Sequence, residues 1–344
     1  MVYTFGLAKN VNSRYHDSAN RLSRCELIAM LHSLSVDCDV SVEALGGSDF
    51  LTFECRPLTE PELRYLSGHS SVVFLAENVS GLLRPLPVSQ EENPYGDLPE
   101  ILKYKGKTSS SFTRMMINMA RSLLPFSAAS SLTLLDPICG KGTACFCAVE
   151  AGMDAIGLDI DRKAVREASE YFSRYLKMHF IKHSVRSYSE TLGKSSLPVT
   201  EFVFSDTREE YRQGAKRSLR FSSGDTAAVF GLCRRKPVHL LIADFPYGVQ
   251  HAPQYGQKPE SFRSLLSRAL PEWKKAMIPG GAAAVSFNTL TFPRKEVLDI
   301  VNSSGMIPCT AETFSHLCHE VEQAVVRDVV WMINPPDKGG KTNT

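Results

Sequence analysis

No apolar stretch in this 344-residue sequence reaches the length of a bilayer-spanning helix, and the N-terminus MVYTFGLAKN has no charged flank leading into a hydrophobic signal core. Together these absences set the expectation of a cytoplasmic protein. No CxxC pair occurs, which argues against a zinc ribbon or a thioredoxin-like redox site. The nine cysteines are odd in number and several lie in apolar sequence, as in Cys145-Phe146-Cys147, which fits a reducing compartment. Internal repeats are lacking too. Nor is there a large excess of one charge: 39 basic and 37 acidic side chains leave a formal +2, which neither favours nor opposes a polyanionic partner. With 43% hydrophobic and 22% charged residues, the chain has an ordinary globular composition and the length for one large or two modest domains.

The distribution of charge says more than its sum. Between Thr207 and Lys236 stand eight basic residues against three acidic ones. Arg217, Arg220, Arg234 and Arg235 within that segment are candidates for RNA phosphate contacts. A second basic run passes through Lys163, Arg166, Arg174, Lys177, Lys182 and Arg186. A solvated surface explains such runs equally well when they are taken alone.

Residues 1–92 carry a helical pattern around Glu26–Leu34, strands around Val40–Ala44 and Phe50–Cys55, and a helix starting after Thr59. That mixture predicts a small α+β domain. Pro85–Gly96 reads as a linker. In residues 93–336 a helix with Phe112, Met115, Met116, Met119 and Leu123 on one face, a core stripe, precedes short apolar strands. These are Leu132–Leu135, Ala155–Leu158, Phe202–Phe204, Val238–Ala243 and Ala282–Phe287, several separated by helices such as Arg162–Met178 and Phe262–Met277. Buried strands alternating with helices predict an α/β fold with a parallel sheet. Arg327–Ile333 is a late strand, and residues 337–344 read as a disordered tail.

In a doubly wound sheet, ligands sit beyond the carboxyl ends of the strands. Leu134-Leu135-Asp136-Pro137-Ile138-Cys139-Gly140-Lys141-Gly142-Thr143 ends a strand and opens a helix at such a place. Roughly 20 residues on, a second strand ends in Asp159, where an acid grips ribose hydroxyls. A third strand ends near Asp206. A dinucleotide fingerprint needs glycine where Cys145 stands, and an acid ending the first strand sits badly beside a pyrophosphate. S-adenosylmethionine carries a sulfonium and an amino group and no phosphate, so it suits that acid. Taken alone, the loop is equally a tight turn with chance acids nearby.

The strand Val238–Ala243 runs into Asp244-Phe245-Pro246-Tyr247-Gly248. An exocyclic base amine is a weak nucleophile because its lone pair is delocalised into the ring. Hydrogen-bond acceptors on that NH2 draw the nitrogen toward tetrahedral geometry, a task for the Asp244 carboxylate and the Phe245 carbonyl. Pro246 would hold Phe245 extended, and Tyr247 offers a flat face to an extruded base. The bland alternative is a strand-ending turn that contains proline and glycine.

The segments DPICGKGT and GLDID together resemble the class I S-adenosylmethionine-dependent methyltransferase pattern, and DFPYG resembles the (D/N/S)PP(Y/F) signature of amino-methyltransferases. From roughly Asn93 to Asn334 the chain is similar to the family that methylates guanosine N2 at position ten of tRNA. The resemblance rests on the glycine loop, the turn Asp244 to Val249 and the late strand entered through Glu322 to Asp328. Arg21 to Leu27 faintly resembles the same family's front end, so that residues 1–92 stand as a reduced THUMP-like RNA-binding unit. The resemblance implies a Rossmann-like methyltransferase domain with a mostly parallel seven-stranded sheet and an antiparallel last strand. It also implies S-adenosylmethionine as cofactor and RNA, most simply tRNA, as substrate. Asp136, Pro137, Cys139, Gly140, Gly142 and Thr143 would hold the methionine moiety, Asp159 and Ile160 the ribose, and Asp206 the adenine. Asp244, Phe245, Pro246 and Tyr247 would be catalytic. The sequence departs from the signature at Phe245, where the first proline is missing.

His316, Cys318, His319 and Glu320 look like metal ligands, but a strand would split them between two faces, so no metal is expected. Cys139 is not read as a nucleophile, because direct methyl transfer to an amine needs no covalent intermediate. Lys103, Lys105 and Lys107 are read as solvated linker. Two other functions remain open at this level: an adenine-N6 methyltransferase using the same turn chemistry, and a catalytically silent RNA-binding protein that has kept the fold.

Overall fold

The computed structural model describes residues 1–8, 16–86, 93–102, 107–125, 131–192, 195–234, 236–245, 254–255, 258–315, 317–322 and 324–336. The N-terminal part contains β1 (Val2–Leu7), α1 (His16–Ser33), β2 (Val40–Leu45), β3 (Ser48–Glu54), α2 (Glu60–Ser67), β4 (Val72–Val79) and β5 (Leu82–Pro85). Its sheet is antiparallel throughout, in the order β2-β3-β1-β4-β5. Three of these strands, β1, β4 and β5, are additional to those expected. α2 begins as its sequence suggests: Glu62 reaches back to the Thr59 backbone N–H at 2.7 Å, closing a capping box.

The rest of the chain runs α3 (Leu98–Ile101), α4 (Ser110–Ser122), β6 (Thr133–Asp136), α5 (Thr143–Glu150), β7 (Asp154–Asp159), α6 (Arg162–Met178), β8 (His183–Leu192) and β9 (Ser195–Phe204). It continues with α7 (Arg208–Gln213), β10 (Arg217–Ser223), α8 (Val229–Cys233), β11 (Val238–Asp244), the short pair β12 (Gln254–Tyr255) and β13 (Lys258–Pro259), and α9 (Phe262–Ala276). Last come β14 (Met277–Asn288), α10 (Arg294–Ser304), β15 (Ile307–Pro308), β16 (His319–Glu322) and β17 (Val325–Ile333).

The large sheet is α/β and Rossmann-like, ordered β15-β17-β14-β11-β6-β7-β10-β9-β8, with β16 paired to β17. β10, β7, β6, β11 and β14 are mutually parallel, and β17 runs antiparallel to β14. Seven strands from β10 to β15 form the expected arrangement. The sheet has ten strands rather than seven because the hairpin β8–β9 extends one edge and β16 adds to β17.

One expectation is corrected by this order. The strand containing Phe202–Phe204 is not the third parallel strand: β9 runs antiparallel to β10, and β10 is the strand that lies parallel beside β7. Because Phe204 pairs with Arg217, at the start of β10, Asp206 falls at the end of the sheet opposite the carboxyl ends of the parallel strands. There it accepts a hydrogen bond from Arg217.

Both faces of the large sheet are covered. Leu134, Leu240, Ile242, Ala282 and Ala284 join α4, α5 and α6 in one core, while Leu135, Leu241, Ala243, Ala283 and Val285 join α8, α9 and α10 in the other. Alternate residues of each strand face opposite layers, which explains why the strands read as unbroken apolar runs. α4 is buried on nearly every side, as its methionines suggested, because Cys25 and Ala29 of α1 share its core.

A polar knot fixes that contact. The fully buried Glu26 carboxylate accepts from the Asn118 amide of α4 at 2.7 Å and from the Ser70 backbone N–H at 2.9 Å, and the Ser70 hydroxyl donates to it as well. Asn118 also donates to the Gly68 carbonyl at 2.8 Å. Replacing Glu26 strands these donors away from water. Glu26→Ala is therefore expected to lower stability by roughly 3 kcal/mol, read by chemical denaturation.

Candidate active site

Three strands deliver carboxylates to one place. Asp136 ends β6, Asp159 ends β7 and Asp244 ends β11. The register places Asp136 opposite Gly157, two residues before Asp159, and pairs Leu241 with Leu135. Counting by twos along each strand puts all three acids on the face covered by α4, α5 and α6.

The loop between β6 and α5 is folded against β7. The Cys139 N–H donates to the Leu158 carbonyl at 2.9 Å, the Gly140 N–H to Asp159 Oδ2 at 2.7 Å, and the Gly142 N–H to the Cys139 carbonyl at 2.7 Å. Gly140 and Gly142 have φ of +50° and +86°. At Gly142 a Cβ would also meet the Phe221 ring at 3.0 Å, whereas at Gly140 nothing lies within 4 Å. The loop can approach so closely because β7 carries Gly157 there. A Cβ on Gly157 would meet the thiols of Cys145 and Cys139 and the Phe221 ring at 2.9–3.0 Å. Cys139 is thus a packing atom; burial pushes its thiol well above the usual range, which removes nucleophilic character.

Asp136 is 5% exposed and accepts the Ile138 N–H at 3.2 Å. Burial holds its carboxyl well above the ordinary carboxylate range; the Ile138 N–H opposes this, and the nearby Asp159 and Asp244 add to it. Asp159 also lies above its ordinary value through burial, although it accepts backbone N–H groups from Asp161, at 2.8 Å, and Gly140. Each carboxylate oxygen retains a second acceptor position. Ile160 follows with 48% exposure, an apolar surface beside the acid. Pro137 is buried and Thr143 half-buried at the start of α5.

At the end of β11, Asp244 Oδ2 accepts the hydroxyl of Thr108, which stands just before α4. Thr108 carried no sequence signal. Phe245 is 1% exposed, its ring edge-on to Phe262 at 4.4 Å and near Trp273 at 6.2 Å. Its N–H donates to the Ser286 carbonyl of β14 at 3.1 Å, a bond that a proline at this position would forgo. The departure from the amino-methyltransferase signature therefore exchanges a rigid ring for a ladder hydrogen bond and a core anchor. Pro246, Tyr247 and Arg235 lie outside the described residues.

The residue at the end of the true third strand is Asp225, which follows Ser223 and Gly224. The Gly224 N–H donates to the Asp159 carbonyl at 2.9 Å, so Asp225 stands at the carboxyl end of the sheet where Asp206 was expected. It caps the following turn through the Ala227 N–H and pairs with Arg268 at 2.6 Å. The strand could have been found from the alternation of Leu219 and Phe221 ahead of Gly224.

Two of the four arginines, Arg217 and Arg220, are engaged inside the protein. Arg217 is bound to Asp206 and the Val149 carbonyl, and Arg220 pairs with Glu201 at 2.8 Å. Both tie β10 to its neighbours as internal ion-pair partners rather than presenting a face to phosphates. Arg234 is exposed and lies over Phe230. Lys107 donates to the Pro99 carbonyl. His316 lies outside the described residues, and burial brings His319 down to about 4 while its ring packs on Phe112. Among the described residues no group of three or more His, Cys, Asp or Glu side chains is placed to hold a metal. No described helix is long and apolar enough to cross a membrane.

No family model matches the chain. No curated protein matches it either. Among solved structures it is similar to a TehB-like SAM-dependent methyltransferase from Corynebacterium glutamicum, at 14% identity over 62% of this chain and 86% of that one, with a TM-score of 0.35. It is also similar to TrmN from Thermus thermophilus, at 16% identity over 86% of this chain and 59% of that one, TM-score 0.35. An rRNA methylase from Streptococcus thermophilus matches at 11% identity over 64% and 97%, TM-score 0.32. At such TM-scores these likenesses carry no functional argument, and the chain's own strand order describes its fold.

The two loop glycines separate experimentally. Gly142→Ala is expected to cost roughly 1–2 kcal/mol from its backbone conformation and more from the Phe221 contact. Gly140→Ala is expected to cost less than Gly142→Ala, because its surroundings are open. Denaturant titration of the two variants checks the order.

Proposed function

We propose that the chain transfers a methyl group from S-adenosylmethionine to an exocyclic amine of an RNA base, with guanosine N2 of tRNA as the substrate that the sequence resemblance favours. The observation that carries this reading is the convergence of Asp136, Asp159 and Asp244 at the ends of three parallel strands, around a glycine loop whose lysine, Lys141, pairs with Glu167 of α6 at 2.6 Å. Three carboxylates, one of them held well above its ordinary pKa by burial, suit a ligand that brings positive charge. When bound, S-adenosylmethionine supplies an electrophilic methyl on a sulfonium.

In this reading Asp136 receives the cationic amino group, and the second acceptor positions on Asp159 take ribose hydroxyls. Ile160 offers an apolar face to the adenine, and Asp225 replaces Asp206 as the acid nearest to it. Asp244 accepts a hydrogen bond from the base amine and takes the proton that the amine must lose. Thr108 orients that carboxylate by donating to Oδ2. The same reading divides the chain at residue 92, with residues 1–92 as an RNA-contacting unit and residues 93–336 as the catalytic unit.

Asp244→Ala is expected to lower methyl transfer to RNA by roughly 10²–10⁴-fold while leaving cofactor affinity nearly unchanged. Asp159→Ala is expected to weaken the cofactor instead. A radiolabelled methyl assay on total tRNA, paired with calorimetry, reads both; unchanged turnover in the Asp244 variant would refute the assignment. Mass spectrometry of the modified nucleosides then names the base and separates guanine N2 from adenine N6.

Proton linkage gives an independent check. A cation docking against Asp136 lowers its raised pKa, so binding releases a proton and affinity rises with pH until the free protein's Asp136 is ionised. Calorimetry in buffers of different ionisation enthalpy should show that release in the wild type and its loss in Asp136→Asn.

A further inference from the structure

At the opposite end of the sheet from the carboxylates, the C-terminus of α6, the start of β8 and α7 enclose an open cleft of about 590 Å³. Its walls carry Lys177, Lys182, Arg208 and Arg212, together with Phe180 and Tyr211, over a floor that includes Leu176 and Ile181. Among the described residues lining it there is no carboxylate. Glu209 reaches Arg212 at 3.6 Å, but both side chains are mostly exposed, where such pairs contribute little.

Phe180 is the unusual member. It occupies the left-handed position after α6, with φ of +54°, and the Ile181 N–H donates to the Leu176 carbonyl at 2.9 Å. Glycine is the ordinary residue there, and a bulky side chain costs roughly 1 kcal/mol. The ring is nevertheless 81% exposed, so core packing does not repay that strain. Tyr211 plays a different part: its ring lies beneath the Lys216 ammonium at 4.2 Å and the Lys182 ammonium at 5.9 Å, fixing two cations beside the cleft. Lys177, in the last turn of α6, also offsets the helix dipole. Arg212 stands likewise in the last turn of the short α7, but that role does not extend to Lys182 or Arg208.

We infer that this cleft is a second RNA-binding site, in which the four cations neutralise backbone phosphates and the Phe180 ring stacks on an unpaired base. It rests on the reading of RNA as substrate, and it adds a contact remote from the chemistry. β7 alone separates the two ends of the sheet by roughly 20 Å. An RNA touching both must therefore extend well beyond one nucleotide, so the cleft selects a sizeable folded RNA over a nucleoside or short fragment.

The test is binding of fluorescently labelled tRNA by the full chain over a range of salt. Lys177→Ala/Lys182→Ala/Arg208→Ala/Arg212→Ala is expected to weaken binding ~10-fold or more at low salt and to flatten the log–log salt slope by about 0.7–0.9 for each phosphate no longer neutralised. Phe180→Ala is expected to weaken binding about 5-fold or more with the slope unchanged. Circular dichroism and S-adenosylmethionine calorimetry should match the wild type for both variants. Equal affinity and slope in the quadruple variant overturn the inference. So does binding of the wild type to vesicles of phosphatidylcholine and phosphatidylserine but not to tRNA, which would assign the cleft to a lipid surface. If the expected losses occur but the wild type transfers no methyl group to RNA, the cleft stands and the catalytic reading falls.

Discussion

The approach of the glycine loop to β7 is the constraint on which the site depends. Two backbone N–H groups, from Cys139 and Gly140, bind the Leu158 carbonyl and the Asp159 carboxylate, and this clamp sets where α5 begins and where Asp159 points. It is possible because Gly157 has no side chain and because the Cys139 and Cys145 thiols and the Phe221 ring fill the space a Cβ would need. Loop, strand and helix are thus solved together: enlarging any of these small residues would lift the loop away from Asp136 and Asp159. Two of the buried cysteines, Cys139 and Cys145, are space-filling parts of that clamp.

What is legible in the sequence follows from burial. Strands covered on both faces write themselves as apolar runs, and β6, β7, β11 and β14 are visible for that reason. β10 is hidden because Arg217, Ser218, Arg220 and Ser222 make it look like surface, whereas their partners, Asp206, Asp154, Glu201 and the Pro198 carbonyl, come from neighbouring elements. With β10 concealed, the apolar end of an inserted antiparallel strand passes for the third, and Asp206 inherits a role that geometry gives to Asp225. Thr108 is illegible for another reason: a hydroxyl that meets a carboxylate 136 residues away leaves no local pattern.

The two ends of the sheet differ in the side chains they gather. At the carboxyl ends of the parallel strands the protein gathers carboxyl groups in a partly dry setting; at the other end it gathers basic side chains around an open, aromatic cleft. The hairpin β8–β9 contributes to this second face, since it widens the sheet and the first residue of β8, His183, lines the cleft beside α6 and α7.

α4 has a mechanical meaning beyond its place in the core. Asn118 near one end is held by Glu26 and the Gly68 carbonyl of the N-terminal part, and Thr108, just before the other end, holds Asp244. The nine helical residues from Ser110 to Asn118 make a rod of about 14 Å between those pins. A rod so fastened acts as a gauge block: the distance from the front sheet to the acid at the tip of β11 is machined by helix geometry rather than by the compliance of a loop. Tolerance in that spacing is therefore a property of two polar joints, and only the joint at Asn118 can be loosened without touching Asp244 itself.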